Sequence, residues 1–123
     1  MALILVVDDE PDLLALLVEQ LQALGHEVMT AQDGAQGFRE ATARRPDLLL
    51  TDVIMPFMDG PEMLEKLRGQ PETRDIPVIA LTALADARTR ARLSSLGVDR
   101  FLPKPYTLRE LAAHIVAATA APA

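Results

Sequence analysis

Five short apolar runs punctuate the chain: Leu3-Ile4-Leu5-Val6-Val7, Val28-Met29-Thr30, Leu48-Leu49-Leu50, Val78-Ile79-Ala80-Leu81 and Phe101-Leu102. The first, third and fourth are continuously apolar rather than alternating. A strand needs that pattern when both of its faces are covered, as in a parallel sheet.

Segments with helical spacing separate the runs. Leu14, Leu17, Leu21 and Leu24 form one stripe, with Pro11 near its start and Gly25 just beyond its end. Residues 34–43 form a weaker second helix, for which Asp33 is the candidate N-cap. Met63, Leu64 and Leu67 mark a third helix, and residues 86–96 a fourth closed by Gly97. In the fifth, Leu108, Leu111, Ile115 and Val116 are expected to face one way, and Thr107 with Glu110 makes a capping box.

Strand–helix alternation with short connections predicts an α/β fold, a (βα)₅ three-layer sandwich with helices on both faces of a five-stranded parallel sheet. One domain over residues 1–119 is expected, followed by a tail or the start of a linker at 120–123. Its Ala-rich end, residues 117–123, holds one Pro.

The polar residues gain meaning from where they fall. Asp8 and Asp9 follow the first strand directly, Asp52 comes two residues after the apolar part of the third, Thr82 follows the fourth, and Lys104 lies just past the fifth. Open α/β sheets bind ligands outside the carboxyl ends of their strands, where strand order reverses. In the flavodoxin-like order 2-1-3-4-5 that point lies between strands one and three. Loops from four strands then converge on one crevice.

Three carboxylates held together repel one another, and a hard divalent cation relieves the conflict. An ionised Asp can attack phosphorus to form an acyl phosphate. A nearby Lys adds positive charge for phosphoryl oxygens and a Thr adds a hydroxyl donor. Phosphoryl transfer depends mainly on positioning and charge, and this set offers both.

Composition narrows the field. A length of 123 residues suits one domain, large enough to bury roughly two-thirds of its unfolded surface. The absence of Cys excludes disulfides and thiolate metal sites. A net charge of −6, with one Tyr, three Phe and no Trp, argues against direct nucleic-acid binding. The apolar run Ala2 to Val7 is too short to span a bilayer and lacks the flanks of a signal peptide. A soluble cytoplasmic protein without membrane contact is the expectation. There is no G-x-G-x-x-G after the first strand and no Walker A lysine, so nucleotide binding has little support. His26 and His114 lack metal-ligand spacing and read as structural or exposed. Arg88, Arg90 and Arg92 make a basic run on the fourth helix.

Asp8-Asp9, Asp52 ahead of Met55-Pro56 and Met58-Asp59-Gly60, Thr82-Ala83, and Lys104-Pro105 together resemble the receiver domain of two-component response regulators. The resemblance covers nearly the whole chain. Each motif alone is weak; the ordered set in its strand context is specific.

The resemblance implies that Asp52 accepts a phosphoryl group from a histidine kinase, a phosphotransfer protein or a small phosphodonor. Mg²⁺ would be held by Asp9, Asp52 and the Ile54 main-chain carbonyl, with Asp8 acting through a metal-bound water. Lys104 would pair with the acceptor and then with the phosphoryl group, and its bond to Pro105 would be cis. Thr82 and Phe101 would form the switch, changing the face made by the fourth helix, fifth strand and fifth helix. A downstream protein or fused output domain would read that face, and a phosphorylation-dependent homodimer is one possible response. Ile54 and Leu84 stand where polar residues often orient the hydrolytic water, so slow self-dephosphorylation is expected. The chain would be a switch rather than a dedicated enzyme, its only chemistry being Mg²⁺-dependent phosphorylation and dephosphorylation of itself.

Two other readings compete. One is a pseudo-receiver, a scaffold of this fold that is never phosphorylated; the complete set of Asp8, Asp9, Asp52, Thr82 and Lys104 argues against it. The other is a Mg²⁺-dependent phosphohydrolase, for which the chain shows no separate general acid and no substrate-binding insertion.

Overall fold

The computed structural model describes residues 2–52, 60–82, 87–98 and 100–119. Strands β1 (Leu3–Val7), β2 (Glu27–Ala31), β3 (Leu48–Asp52), β4 (Val78–Thr82) and β5 (Arg100–Pro103) alternate with helices α1 (Pro11–Ala23), α2 (Gly34–Arg44), α3 (Gly60–Arg68), α4 (Ala87–Ser95) and α5 (Leu108–Thr119). All four strand pairings are parallel and the order is β2-β1-β3-β4-β5, as the sequence pattern predicts.

The continuously apolar strands are the buried ones. Ile4 to Val7, Leu48 to Leu50 and Val78 to Leu81 are all inaccessible or nearly so. Alternate residues feed two separate cores. Leu5, Val7, Leu49, Val78 and Ala80 pack with Met63, Leu64, Leu67 and Leu93 from α3 and α4. Ile4, Val6, Leu48, Leu50, Ile79 and Leu81 pack with Leu14, Leu17 and Leu21 of α1 and Leu111 and Ile115 of α5. A period of two on a doubly covered strand produces this division.

Local signals set the helix ends. The Asp33 side chain accepts the Gln36 N–H at 2.8 Å. In the Thr107/Glu110 box, Glu110 N–H donates to Thr107 Oγ1 at 3.1 Å and Thr107 N–H donates to Glu110 Oε1 at 3.0 Å. Gly97 follows α4 at φ +90°, a conformation that L side chains rarely adopt.

The expected stripe on α5 needs correction. Leu111 and Ile115 are buried, but Leu108 is 41% and Val116 69% exposed. Val116 sits one residue past Ile115, about 100° around the helix; Leu108 is in the first turn, at the rim of the core. Leu24, the last member of the α1 stripe, is the C-cap residue and also faces outward. Among the described residues, no helix is long and apolar enough to cross a membrane.

Candidate functional site

The strand register brings four strand ends into one row. Val7 pairs with Thr51, Asp52 with Leu81, and Thr82 with Pro103. The residues at or just after the ends of β1, β3, β4 and β5 are therefore Asp8 and Asp9, Asp52, Thr82 and Lys104.

Asp8 is held by backbone and helix alike. Its N–H donates to the Ala31 carbonyl at 3.0 Å, continuing the β1–β2 ladder by one residue. Its Oδ1 accepts the Glu10 N–H at 2.9 Å. Glu10 caps α1 without a side-chain bond of its own, and Pro11 begins the helix, so Asp8 supplies an acceptor for an otherwise open helix start. The remaining oxygen, Oδ2, is buried and makes no hydrogen bond among the described residues. Lys104 Nζ lies 3.6 Å from it.

Asp52 is half-buried at the end of β3, its Oδ2 3.4 Å from the same Lys104 Nζ. Asp9, next to Asp8, is exposed. Asp8, Asp9 and Asp52 each present a carboxylate oxygen, and these oxygens lie within 4.8 Å of one another. Lys104 reaches two of the three acids from beyond β5, and the peptide bond that follows it, to Pro105, is cis as the resemblance implies.

Among the described residues, the Lys104 ammonium lies within 3.6 Å of two of the three clustered carboxylates. Burial pushes the Asp8 carboxyl above its ordinary value, and the Asp52 and Asp9 charges push the same way, while the Glu10 N–H and Lys104 oppose them. An all-oxygen donor set with a buried, unsatisfied carboxylate oxygen fits a hard divalent cation. The acids suit Mg²⁺.

The remaining expectations divide. Thr82 closes β4 by its backbone, but its side chain lies outside the description. So do Ile54 with its carbonyl, Met55-Pro56, Met58-Asp59, Ala83, Leu84, Asp99 and the tail 120–123. Phe101 is partly buried against the α3/α4-side core, with the Arg90 guanidinium 4.6 Å from its ring centre. His26 accepts the Ala2 N–H through Nδ1 at 3.1 Å, which is a structural role. His114 is half-buried on α5 and its Nδ1 makes no hydrogen bond among the described residues. An open cleft of about 530 Å³ lies at the opposite end of β4 and β5, lined by Arg68, Arg74, Ile76, Leu96 and Arg100. It contains none of the clustered acids, so donor chemistry rather than cavity size marks the site.

Tyr106 is a participant that the sequence reading missed. Burial, with the Asp8 charge adding to it, pushes its phenol up to about 12. No local pattern announces this; only its position two residues after Lys104 hints at it. Tyr106 is the chain's one tyrosine, so an absorbance titration near 295 nm reads it alone. The folded protein is expected to show almost no phenolate at pH 10.5, whereas the urea-unfolded chain is more than half ionised there. Coincident titration curves for the two states would refute the buried phenol.

Residues 4–116 match the family model described as the response regulator receiver domain. The transcriptional regulatory protein PrrA of Mycobacterium tuberculosis is 41% identical over 114 residues, which are 93% of this chain and 48% of PrrA. The hybrid signal transduction histidine kinase D of Dictyostelium discoideum is 40% identical over 93% of this chain but only 7% of its own length. This chain thus spans about half or less of these relatives. Among solved structures, the receiver domain of the sensor histidine kinase PA1611 from Pseudomonas aeruginosa superposes with a TM-score of 0.90 at 32% identity, covering 98% of each chain, and has a magnesium ion coordinated in its active-site cleft. Fold, strand-end acids and sequence likeness agree: the chain belongs to the family of response regulator receiver domains of two-component systems.

Proposed function

We propose that this domain is a phosphorylation-controlled switch whose acceptor is Asp52. The observation that carries the reading is the convergence of Asp8, Asp9 and Asp52 within 4.8 Å, with Lys104 Nζ 3.4 Å from the Asp52 carboxylate. Asp52 retains enough exposure for a donor to reach it, and a carboxylate oxygen forms the new bond to phosphorus. With acetyl phosphate, the bond between phosphorus and the acetate oxygen breaks and acetate leaves with the electron pair. With a phosphorylated histidine the broken bond is phosphorus–nitrogen.

The proposed holders of Mg²⁺ are Asp9, Asp52 and the Ile54 carbonyl, with Asp8 acting through water. When bound, Mg²⁺ supplies positive charge that balances the carboxylates and the phosphoryl oxygens. Lys104 sits beside the acceptor, where its ammonium serves the carboxylate before transfer and the phosphoryl oxygens after it. Thr82 and Phe101 are the proposed relay to the α4–β5–α5 face. A histidine kinase or phosphotransfer protein supplies the group, and a downstream protein or fused output domain reads that face. Because Ile54 and Leu84 stand at sequence positions where polar residues often orient the hydrolytic water, the phosphoryl group is expected to be long-lived.

The test is intact-mass measurement after incubation with Mg²⁺ and acetyl phosphate. A single phosphoryl adduct is expected, absent with EDTA and absent in Asp52→Asn. No adduct on the unmodified chain would favour the scaffold reading, and steady phosphate release from unrelated esters would favour a hydrolase.

A further inference from the structure

At the end of β4 and β5 away from the clustered acids lies the open cleft of about 530 Å³, a volume typical of small-molecule sites. β4 runs from Val78 to Thr82, so about 13 Å of strand separates its two ends. Arg68, Arg74 and Arg100 line the cleft, and Asp75 is the one acid among its described lining residues. In a chain of net charge −6 this is a local reversal of sign.

The three arginines are held differently. Arg68 is half-buried and fixed in the wall. Its Nε donates to the Leu96 carbonyl at 2.8 Å, and its Nη1 to the Arg74 and Ile76 carbonyls at 2.7 and 2.8 Å. Gly97, at φ +90°, makes room for it, since a Cβ there would lie 3.1 Å from both Nε and Nη2. Arg100 opens β5, is half-buried, and has no carboxylate partner among the described residues. Such a guanidinium has given up hydration that an anion can replace. Arg74 lies 3.7 Å from Asp75, but both side chains are so exposed that solvent screens most of the attraction. Ile76, Pro77, Leu96 and Ala118 supply the apolar part of the wall.

We infer that this cleft binds a nucleoside diphosphate, with its phosphates on Arg74 and Arg100 and its base against the apolar wall. Arg68 adds charge and shape. A diphosphate carries about three negative charges near pH 7, and its paired oxygens match the guanidinium fork. A free inorganic anion offers the same oxygens but nothing to cover Ile76 and Leu96; an uncharged nucleoside offers the reverse. Side chains do here what glycine-rich loops do in other nucleotide sites, so the missing G-x-G-x-x-G and Walker A motifs do not bear on this cleft. The site is separate from the phosphoryl acceptor and stands or falls apart from the switch reading.

The probe is ADP in excess EDTA, which keeps Mg²⁺ from bridging the nucleotide to the acids, titrated at low salt by calorimetry and amide NMR. One saturable site is expected, with shifts at residues 74–76, 95–98, 100 and 117–118 and none at Asp8, Asp9 or Asp52. Arg74→Ala keeps the carbonyl that Arg68 uses. That variant and Arg100→Gln should each weaken binding about tenfold, the effect of one lost charge-assisted contact. Pyrophosphate should bind several-fold more weakly than ADP, and adenosine not measurably. Amide spectra report whether each variant is folded; Arg74 is exposed, so its variant keeps the test available if Arg100→Gln unfolds. The Asp52 adduct should form from acetyl phosphate at the same rate in both variants. Absence of ADP binding, shifts at the clustered acids, or unchanged affinity in folded Arg74→Ala would each overturn the inference. Adenosine binding as tightly as ADP would remove the role of the arginines, and pyrophosphate binding as tightly as ADP would remove that of the apolar wall. Slowed adduct formation in a folded variant would tie the arginines to the acceptor and overturn a separate site.

Discussion

Replacing Lys104 with Met should slow phosphorylation of Asp52 by acetyl phosphate about 10²- to 10³-fold, the usual effect of removing one pre-positioned charge from a transition state. Lys104 Nζ is 3.4 Å from Asp52 Oδ2 and 3.6 Å from Asp8 Oδ2. Two acids thus hold one ammonium beside the proposed phosphoryl acceptor. Met keeps the length of the stem and deletes the charge, so packing changes little.

Binding of Mg²⁺ should survive the same substitution, because its carboxylates remain and a competing cation is gone. Calorimetric titration with Mg²⁺ and timed mass spectra separate the two effects. A variant phosphorylated within threefold of the unmodified rate would show that Lys104 is a structural counter-ion only. Loss of Mg²⁺ binding would instead show that Lys104 holds the acids in place.

The strand ends were legible because burial on two faces leaves a composition signal and charged residues interrupt it abruptly. Asp8 after Val7, and Asp52 and Thr82 at the ends of apolar strands, are visible without coordinates. What stayed hidden depends on contacts between distant segments. The Arg68 side chain donates to the carbonyls of Leu96, Arg74 and Ile76 at 2.7 to 2.8 Å, tying α3 to the loop before β4 and to the end of α4. Thr73 is fully buried, its hydroxyl donating to the Leu67 carbonyl at 2.7 Å. Neither interaction has a period.

Gly37 is similar. A Cβ there would lie 2.7 Å from Met63 Sδ and 3.0 Å from Val7 Cγ2, a close approach of α2 to β1 and α3 that only the packed structure reveals. The exposed Leu108 and Val116 show the opposite error, since apolar character alone does not place a residue on the buried side of a helix. The difference between Asp8 and Asp9 was likewise out of reach. One is inaccessible and the other exposed, because the β1–β2 ladder continues to the first and stops before the second.

That difference leads to the second large effect. Asp8→Asn should stabilise the Mg²⁺-free protein at pH 7.5 by about 1–2 kcal/mol, the scale of one buried and poorly satisfied polar group. That corresponds to roughly 3–8 °C in Tm for a domain of this size. Burial, the largest influence on Asp8, raises its folded value above 3.8. Well below 3.8 the carboxyl is neutral in both states and nothing is lost. As pH rises through 3.8 the unfolded chain releases the proton while the folded chain keeps it, so stability falls until pH has passed the raised value. Asn is neutral throughout, and its Oδ1 can still accept the Glu10 N–H. The advantage of Asp8→Asn should therefore shrink as pH is lowered toward 4. Saturating Mg²⁺ should reverse the order, because binding stabilises the native chain in proportion to its affinity and the variant lacks one acid. Thermal melts at two pH values, with EDTA and with Mg²⁺, test all of this. A variant less stable than the parent in EDTA at pH 7.5 would mean that the Lys104 attraction outweighs burial, and the acid cluster would then be a stabilising ion-pair network rather than a strained site awaiting a cation.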